Sequence, residues 1–142
     1  MIKPYKISVP KSTLNNIYKK VRSYPWKMMQ NVNGWEYGTN YNFLKKISKY
    51  WVSKYNWKKF ENKINSFKNY KTNVDGINLH FIIEKSKNPK SRPLLLLHGW
   101  PGSVIEFFDI IPRLAHPEQF GGKIEDGFDV IVPSLPGFGF ST

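Results

Sequence analysis

The amino-terminal part of the chain has apolar residues at the three- and four-residue spacing of amphipathic helices. This spacing predicts three helices, which begin near Ser12 or Thr13 as the cap, near Asn40 and near Trp57. Their apolar faces consist of Leu14, Ile17 and Val21 in the first, Phe43, Leu44, Ile47, Tyr50, Trp51 and Tyr55 in the second, and Phe60, Ile64 and Phe67 in the third. Turn residues at 24–26 and at 33–34 separate the first two helices. We expect these faces to form core, and a ligand pocket is the alternative.

Beyond residue 70 the apolar spacing changes from helical to alternating. Thr72 and Val74 precede an Asp75-Gly76 pair, and alternating apolar residues follow that pair. Asp-Gly between two alternating segments is a strong signal for a β-hairpin. We therefore predict a hairpin whose second strand carries Ile77, Leu79, Phe81 and Ile83.

The last third of the chain predicts a strand, a helix and a second strand. Leu94–Leu97 is an apolar segment followed by turn residues, as in a fully buried strand. A helix from Ser103 to about Ala115 and a strand over Phe128–Val132 follow, with polar loops at 85–92 and 116–127. Strand, helix and strand in this order predict parallel pairing with a right-handed crossover. The fold class is therefore α/β: a helical N-terminal segment, a β-hairpin, then strand–helix–strand of a sheet.

Each predicted parallel strand is followed by a loop rich in Gly and Pro. These loops, His98–Ser103 and Pro133–Ser141, lie at the sheet edge where open α/β sheets bind ligands. Ser103 and Glu106 have the spacing of a capping box that opens a helix. A buried strand, a tight turn and a capped helix direct backbone N–H groups out of the sheet, and ester hydrolases build oxyanion holes in this way.

The turn that begins at His98 contains the candidate chemistry. The backbone N–H of Trp100 is the candidate oxyanion donor, because Pro101 has no N–H and a cis bond before it would turn the Trp100 N–H outward. Gly99 and Gly102 can supply positive φ or close backbone approach. His98 could be a base or a metal ligand, but a buried His beside glycines more often orients the loop through hydrogen bonds.

The other residues with catalytic or ligating side chains are assigned no catalytic role. His80, in the hairpin, and His116, at a helix end, are expected to be structural or solvated. Asp109 and Asp129 do not stand at a strand-to-helix elbow, and the chain has no Gly-x-Ser-x-Gly motif. The glycines at 137 and 139 are not followed by a phosphate-binding helix pattern, so the dinucleotide fingerprint is incomplete.

Composition limits the class of protein. The 142 residues have the length of one ordinary domain, and 40% hydrophobic and 16% aromatic residues favour a packed core. The absence of Cys excludes disulfides and Cys metal sites.

The net charge of +12 is unevenly distributed along the chain: residues 1–92 carry +16 and residues 93–142 carry −4. A basic domain that contacts nucleic acid or an anionic membrane is one interpretation. Compositional bias is the favoured one, because Lys far outnumbers Arg, Asn is abundant and no nucleic-acid-binding module is present.

Targeting signals are absent from the printed sequence. Met1–Pro10 is charged and lacks the apolar region of a signal peptide, and no segment approaches the ~20 apolar residues of a membrane span. We expect the chain as given to be soluble, and its location to be either cytoplasmic or not determined by the sequence.

The motifs together resemble those of microsomal-type epoxide hydrolases, which include the insect juvenile hormone epoxide hydrolases. The loop His98–Ser103, with Glu106 and Phe107, is similar to the family's oxyanion-hole motif, and Pro133–Ser141 to the loop after its fourth strand. The further matches are residues 35–38, 50–51, 55–58, 61–65, 74–77 and 80–82. The resemblance covers almost the whole chain and divides it into an N-terminal region, 1–92, and the start of an α/β-hydrolase core, 93–142. One departure is Asn56-Trp57-Lys58, where the family usually has Asp-Trp-Arg, so the ion pair expected there is in question.

This resemblance implies two-step hydrolysis of a hydrophobic epoxide to a vicinal diol, with no cofactor and no metal. An Asp nucleophile would form an alkyl-enzyme ester while lid tyrosines protonate the epoxide oxygen, and His-activated water would hydrolyse the ester. The nucleophile, the two tyrosines, the His base and its acidic partner follow this region in the family, and none maps onto this chain. Residues 1–142 are therefore expected to be an N-terminal fragment that is inactive alone and folds poorly.

The resemblance also implies that the longer protein belongs to the endoplasmic reticulum membrane. Two other hypotheses remain open at the level of the sequence. One is a different α/β-hydrolase, such as a haloalkane dehalogenase or an esterase. The other is a complete, non-enzymatic product, either a basic binding module or a degenerate remnant.

Overall fold

The structure is a computed structural model that describes residues 1–30 and 34–142. The predicted break at Asn33 lies outside the described residues. The chain forms two compact units: Met1–Ile7 together with Glu61–Thr142, here called the sheet unit, and Ser8–Phe60, here called the helical unit. The boundary at residue 92 follows family regions instead, and it stays a prediction.

The helical unit contains α1 (Lys11–Arg22), a 3₁₀ turn (Trp26–Met28), α2 (Tyr41–Ser53) and the first residues of α3 (Trp57–Ile64). Asn40 caps α2, since its side chain accepts a hydrogen bond from the Phe43 N–H at 3.0 Å. The predicted cap of α1 at Ser12 or Thr13 is wrong. That helix begins after Pro10, whose carbonyl accepts the first helical bond, from the Leu14 N–H at 3.2 Å.

The predicted burial of the second helix's apolar face is also wrong. Phe43, Ile47, Tyr50 and Trp51 are 43%, 46%, 53% and 43% exposed. In the helical unit α1 contacts α2 but leaves much of this face uncovered, so aromatic side chains at helical spacing line a groove instead of a closed core.

In the sheet unit, five strands form a sheet in the order β1-β2-β3-β5-β4. The strands are β1 (Lys3–Pro4), β2 (Asn69–Val74), β3 (Ile77–Glu84), β4 (Pro93–Leu95) and β5 (Asp129–Pro133). The predicted hairpin is confirmed: β2 and β3 are antiparallel, and Asp75 and Gly76 have φ of 50° and 86°, as their turn requires. The parallel pairing of β4 with β5 is also confirmed, with Leu94 opposite Val130. The short strand β1 was not predicted.

The strand at Leu94–Leu97 is shorter and less buried than predicted. In this structure β4 is the edge strand, and Leu95 and Leu97 are 57% and 56% exposed. An edge strand lacks the second neighbour that would cover such side chains, so the expectation of full burial is wrong.

The predicted helix from Ser103 to Ala115 is two separate pieces. A 3₁₀ turn spans Val104–Phe107, and α4 spans Ile111–Ala115. Pro112 lies in the first turn of α4, where its missing N–H costs nothing, whereas in a continuous helix it would interrupt the hydrogen-bond ladder. Likewise α3 ends at Ile64, before the predicted limit at Phe67. The predicted loop at 116–127 contains two further 3₁₀ turns, Pro117–Phe120 and Ile124–Asp126.

The apolar core of the described residues belongs to the sheet unit. It comprises Ile7, Ile64, Phe81, Ile82, Val104, Phe108, Ile111, Ala115, Val130 and Val132. Because β3 and β5 are buried in this core, the core fixes the position of the carboxyl end of β5, where the loop at 133–141 begins. No helix among the described residues is both long enough and apolar enough to cross a membrane.

Candidate active site

The loops that follow β4 and β5 lie together at the carboxyl end of the parallel strand pair. A hydrogen bond joins them directly: the Leu135 N–H donates to Nε2 of His98 at 3.1 Å. The structure therefore brings together the two loops that the sequence places at one sheet edge.

His98 uses both of its ring nitrogens. Because Nε2 accepts from a backbone N–H, the ring proton lies on Nδ1, which donates to the Gly99 carbonyl at 3.2 Å. The ring is 3% exposed and packs edge-on against Phe138, with centroids 5.1 Å apart. This geometry fits a loop-orienting side chain. No group of three or more His, Asp or Glu suited to hold a metal occurs in residues 1–30 and 34–142.

In the turn after His98, some backbone N–H groups form hydrogen bonds and others do not. The Gly102 N–H donates to the Gly99 carbonyl at 2.7 Å, and the Ser103 N–H donates to Glu106 Oε1 at 3.1 Å. Trp100 is 85% exposed, and the bond between it and Pro101 is cis. Within the described part of the chain, the N–H groups of Gly99 and Trp100 form no hydrogen bond.

The capping box predicted at Ser103 is present. The Ser103 side chain accepts from the Ile105 N–H at 3.5 Å, and the Glu106 carboxylate accepts from the Ser103 N–H. This box constrains the glycine before it. A Cβ on Gly102 would collide with the Glu106 carboxylate and lie 3.0 Å from the Gly99 carbonyl oxygen, whereas a Cβ on Gly99 would meet nothing within 4 Å. Neither glycine has positive φ.

The loop after β5 is anchored from beneath by a buried polar network around His80, which is 0% exposed. Asn69 donates through Nδ2 to the carbonyls of Ile64 and Phe67, so its Oδ1 faces His80 Nε2 at 2.9 Å. His80 Nε2 therefore carries the ring proton and donates it. The other ring nitrogen, Nδ1, accepts from the Ser134 hydroxyl at 2.8 Å.

A second serine completes this network. The Ser141 hydroxyl donates to the Ser134 carbonyl at 2.7 Å and accepts from the His80 N–H at 2.9 Å. Burial, with a smaller contribution from the positive charge of Lys71, lowers the pKa of His80 to about 4. The ring is therefore neutral at pH 7, as its acceptor role at Nδ1 requires.

Ser134, His80 and Asn69 are hydrogen-bonded in series, an arrangement similar to that of a nucleophilic triad. Ser134 is only 1% exposed, however, and cannot contact a substrate. The network is structural and holds both ends of the loop at 133–141. The sequence predicts that His80 is structural or solvated, and it does not single out Asn69, Ser134 or Ser141. No local motif indicates them, because they lie up to 72 positions apart and meet only through the sheet.

Three other residues without a predicted catalytic role, His116, Asp109 and Asp129, contact residues outside these loops. His116 Nε2 is 2.9 Å from Glu84 Oε1, and the Asp109 side chain is 97% exposed, 3.7 Å from the Lys63 ammonium. Asp129 pairs with Lys85 at 2.5 Å, and this contact lowers the pKa of the Asp129 carboxyl. Asn56 accepts from the Lys59 N–H at 3.2 Å, so it contributes a cap to α3.

Two models of known protein families match the chain and together cover residues 2–142. The family model described as the epoxide hydrolase N terminus matches residues 2–107, and the model of the alpha/beta hydrolase fold matches residues 92–142. The chain belongs to the epoxide hydrolase family. The α/β-hydrolase fold class inferred from the sequence is thereby confirmed, with only the N-terminal portion of that fold present.

Individual epoxide hydrolases match along nearly the entire chain. An epoxide hydrolase sequence of Stigmatella aurantiaca is 45% identical over 140 residues, and epoxide hydrolase 1 of Oryctolagus cuniculus is 38% identical over 146 residues. Each match covers 99% of this chain and 32% of the relative. The crystal structure of juvenile hormone epoxide hydrolase from Bombyx mori superposes with a TM-score of 0.83 at 34% identity, over 99% of this chain and 34% of that one. The chain thus spans about a third of the length of these relatives.

Proposed function

We propose that residues 1–142 form the N-terminal third of an epoxide hydrolase that converts hydrophobic epoxides to vicinal diols. In this proposal the backbone N–H of Trp100 is one half of the oxyanion hole. The supporting observation is that the Trp100 N–H makes no hydrogen bond in a turn where the N–H groups of Gly102 and Ser103 are already used.

The proposed reaction has two steps. A carboxylate attacks one ring carbon, the carbon–oxygen bond of the epoxide breaks, and a tyrosine proton goes to the departing oxygen. Water that has lost a proton to a histidine then attacks the ester carbonyl. The resulting tetrahedral oxyanion accepts the Trp100 N–H hydrogen bond before it collapses to the diol and the free carboxylate. The loss of one such donor typically costs about 2.7–4 kcal/mol of transition-state stabilisation.

The neighbours of Trp100 are proposed to shape the turn. His98 holds it against Leu135 of the second loop, and Pro101 removes an N–H that would compete for the oxyanion. Gly102 allows the backbone to pass close to Glu106, and Gly99 leaves the approach to the Trp100 N–H open. The exposed Trp100 indole would form part of the wall of an apolar substrate pocket.

Several properties of the whole protein are proposed with this function. The nucleophile, the lid tyrosines, the base and its acidic partner do not map onto this chain, so residues 1–142 are proposed to be inactive alone. Residues 1–92 would be the N-terminal region and residues 93–142 the start of the catalytic core. The proposed substrate is a small hydrophobic epoxide, no cofactor is required, and the longer protein is proposed to reside at the endoplasmic reticulum membrane.

A chimera tests this proposal. Residues 1–142 would replace the matching third of the Bombyx mori juvenile hormone epoxide hydrolase, and diol formation from styrene oxide and a juvenile-hormone-type epoxide would be measured. We expect the chimera to turn over at least one epoxide, while residues 1–142 alone turn over neither. A chimera that folds like its parent by circular dichroism and gel filtration but forms no diol would contradict the proposal.

A further inference from the structure

A continuous series of hydrogen bonds, here called the relay, connects the buried network beneath the last loop with the turn after β4. The relay begins at the His80 N–H, which donates to the Ser141 hydroxyl at 2.9 Å. That hydroxyl donates to the Ser134 carbonyl at 2.7 Å. The carbonyl belongs to the same peptide group as the Leu135 N–H, which donates to Nε2 of His98 at 3.1 Å. The first half of the relay therefore ends at the His98 ring.

The second half of the relay runs from the His98 ring to the proposed oxyanion donor. Nδ1 of His98 donates to the Gly99 carbonyl at 3.2 Å, and the Gly102 N–H donates to the same carbonyl at 2.7 Å. The N–H of this peptide group is that of Trp100, which forms no hydrogen bond with any of the described residues. The relay thus ends at a donor that is available to an oxyanion.

Every hydrogen bond of the relay has the same direction. An N–H group can only donate and a carbonyl can only accept, so the relay fixes the proton positions on the Ser141 hydroxyl and on the His98 ring. In a trans peptide group the C=O and the N–H point in opposite directions, so each peptide group continues the relay. Hydrogen bonds aligned in this way polarise one another and strengthen the last donor, above all where water is excluded. Ser141 and His98 are both only 3% exposed.

We propose that Ser141 is a positioning residue for ester hydrolysis, which acts through the relay to orient and polarise the Trp100 N–H. This proposal rests on the proposed function, in which the Trp100 N–H binds the oxyanion. The relay holds the peptide group between Gly99 and Trp100 in place before the reaction, so its N–H does not reorient as negative charge develops on the ester oxygen. Because the oxyanion forms only in the second step, the effect of Ser141 is confined to that step.

Ser134 provides a matched control within the same network. Its hydroxyl donates to Nδ1 of His80 at 2.8 Å, and the residue is 1% exposed, so the two serines are similar in bond length and in burial. The relay passes through the backbone of Ser134 and not through its hydroxyl. Ser134→Ala therefore removes a buried hydroxyl and leaves the relay intact, whereas Ser141→Ala interrupts the relay. A network with only a structural role predicts similar effects of the two substitutions.

The two chemical steps are measured separately in the Bombyx mori chimera, by rapid mixing with an epoxide and mass spectrometry of the alkyl-enzyme. Ser141→Ala should form the alkyl-enzyme at the parental rate and hydrolyse it roughly threefold to tenfold more slowly. Ser141→Thr, which keeps the hydroxyl, and Ser134→Ala should both stay within about twofold of the parent. Ser141→Cys is a milder change with a weaker S–H donor, and its hydrolysis rate should lie between those of Ser141→Ala and the parent.

A second readout does not depend on turnover. NMR of the chimera with isotope-labelled tryptophan gives the backbone amide signal of Trp100, which is identified by its loss in Trp100→Phe. Weaker polarisation should move the amide proton of Trp100 upfield in Ser141→Ala, while Ser134→Ala should leave it in place. Circular dichroism and the Tm of each variant establish that both are folded at the temperature of the assay.

The outcomes separate a failure of the relay from a failure of the proposed function. If Trp100→Pro slows hydrolysis of the ester and Ser141→Ala does not, the relay is wrong and the proposed function stands. Equal slowing in Ser141→Ala and Ser134→Ala, or equal slowing of both chemical steps, would also overturn the relay, because general loosening of the loop explains either result. Hydrolysis at the parental rate in Trp100→Pro would contradict the oxyanion role itself, and the relay with it.

Discussion

The Leu135 N–H donates a hydrogen bond to Nε2 of His98 at 3.1 Å and so joins the loop after β5 to the loop after β4. Because His98 also donates through Nδ1 to the Gly99 carbonyl, one buried ring fixes the turn that presents Trp100 and the loop opposite it. The position of the proposed oxyanion donor therefore depends on a contact 37 residues distant in sequence.

Replacement of His98 tests this contact. His98→Ala leaves the Leu135 N–H without its acceptor in a partly buried position, so we expect it to lower the free energy of unfolding by about 1–3 kcal/mol. His98→Gln keeps a side-chain acceptor and should lose less. Urea unfolding of the 142-residue chain gives both values, and amide exchange at Leu135 reports the bond itself. An Ala variant as stable as the parent, with Leu135 exchange unchanged, would show that the contact contributes nothing.

Alanine substitutions at Gly102 and at Gly99 provide a matched comparison within one turn. In Gly102→Ala the new Cβ collides with the Glu106 carboxylate and forces the capping box open, so we expect a loss of about 1 kcal/mol, the typical contribution of a cap. In Gly99→Ala the Cβ meets nothing within 4 Å, and the stability should change by less than about 0.5 kcal/mol. Denaturant midpoints of the two variants, measured side by side, give the comparison. Equal losses in both would contradict this account of the turn.

The buried His80 predicts a pH dependence of stability. Its folded-state pKa is about 4, below the ordinary value of 6.5, so the unfolded chain binds a proton over this interval and the folded chain does not. Stability should therefore fall as the pH is lowered from about 6.5 to about 4, by an amount on the order of 3 kcal/mol. Denaturant unfolding at a series of pH values measures the slope.

A titration and a variant isolate the contribution of His80. The ring resonances of His80 should titrate near pH 4 by NMR. The His80→Gln chain should lose the part of the slope that lies between pH 6.5 and 4, since Gln does not ionise there. A His80 ring that titrates near 6.5, or a slope unchanged in the variant, would refute the assignment.

The features that the sequence predicted well are those with local physical causes. Asp75 and Gly76 are residues that adopt positive φ, and the structure places the hairpin turn at these two positions. The capping box at Ser103 and Glu106 is likewise a property of four neighbouring residues. Parallel pairing of β4 and β5 follows from the order of strand, helix and strand.

The features that the sequence analysis missed depend on distant contacts or on a competing local effect. Strand β1 is only two residues long and exists through its pairing with β2, and the His80 network assembles side chains from β2, β3 and the last loop. The prediction of one long helix did not take account of Pro112, and the structure has two separate helical pieces there. The aromatic face of α2 has the helical spacing of core residues, and spacing alone does not reveal whether anything covers it.

The central claim is that the Trp100 N–H stabilises the oxyanion of ester hydrolysis, and a pair of variants in the Bombyx mori chimera tests it most directly. Trp100→Phe keeps the N–H, whereas Trp100→Pro removes it. Rapid mixing with an epoxide, followed by mass spectrometry of the protein, separates formation of the alkyl-enzyme from its hydrolysis. Because the proposed mechanism has the Trp100 N–H act in the second step, Trp100→Pro should form the alkyl-enzyme at close to the parental rate but hydrolyse it about 10²–10³-fold more slowly, while Trp100→Phe stays within a few-fold of the parent. Hydrolysis of the ester by the Pro variant at the parental rate would contradict the account.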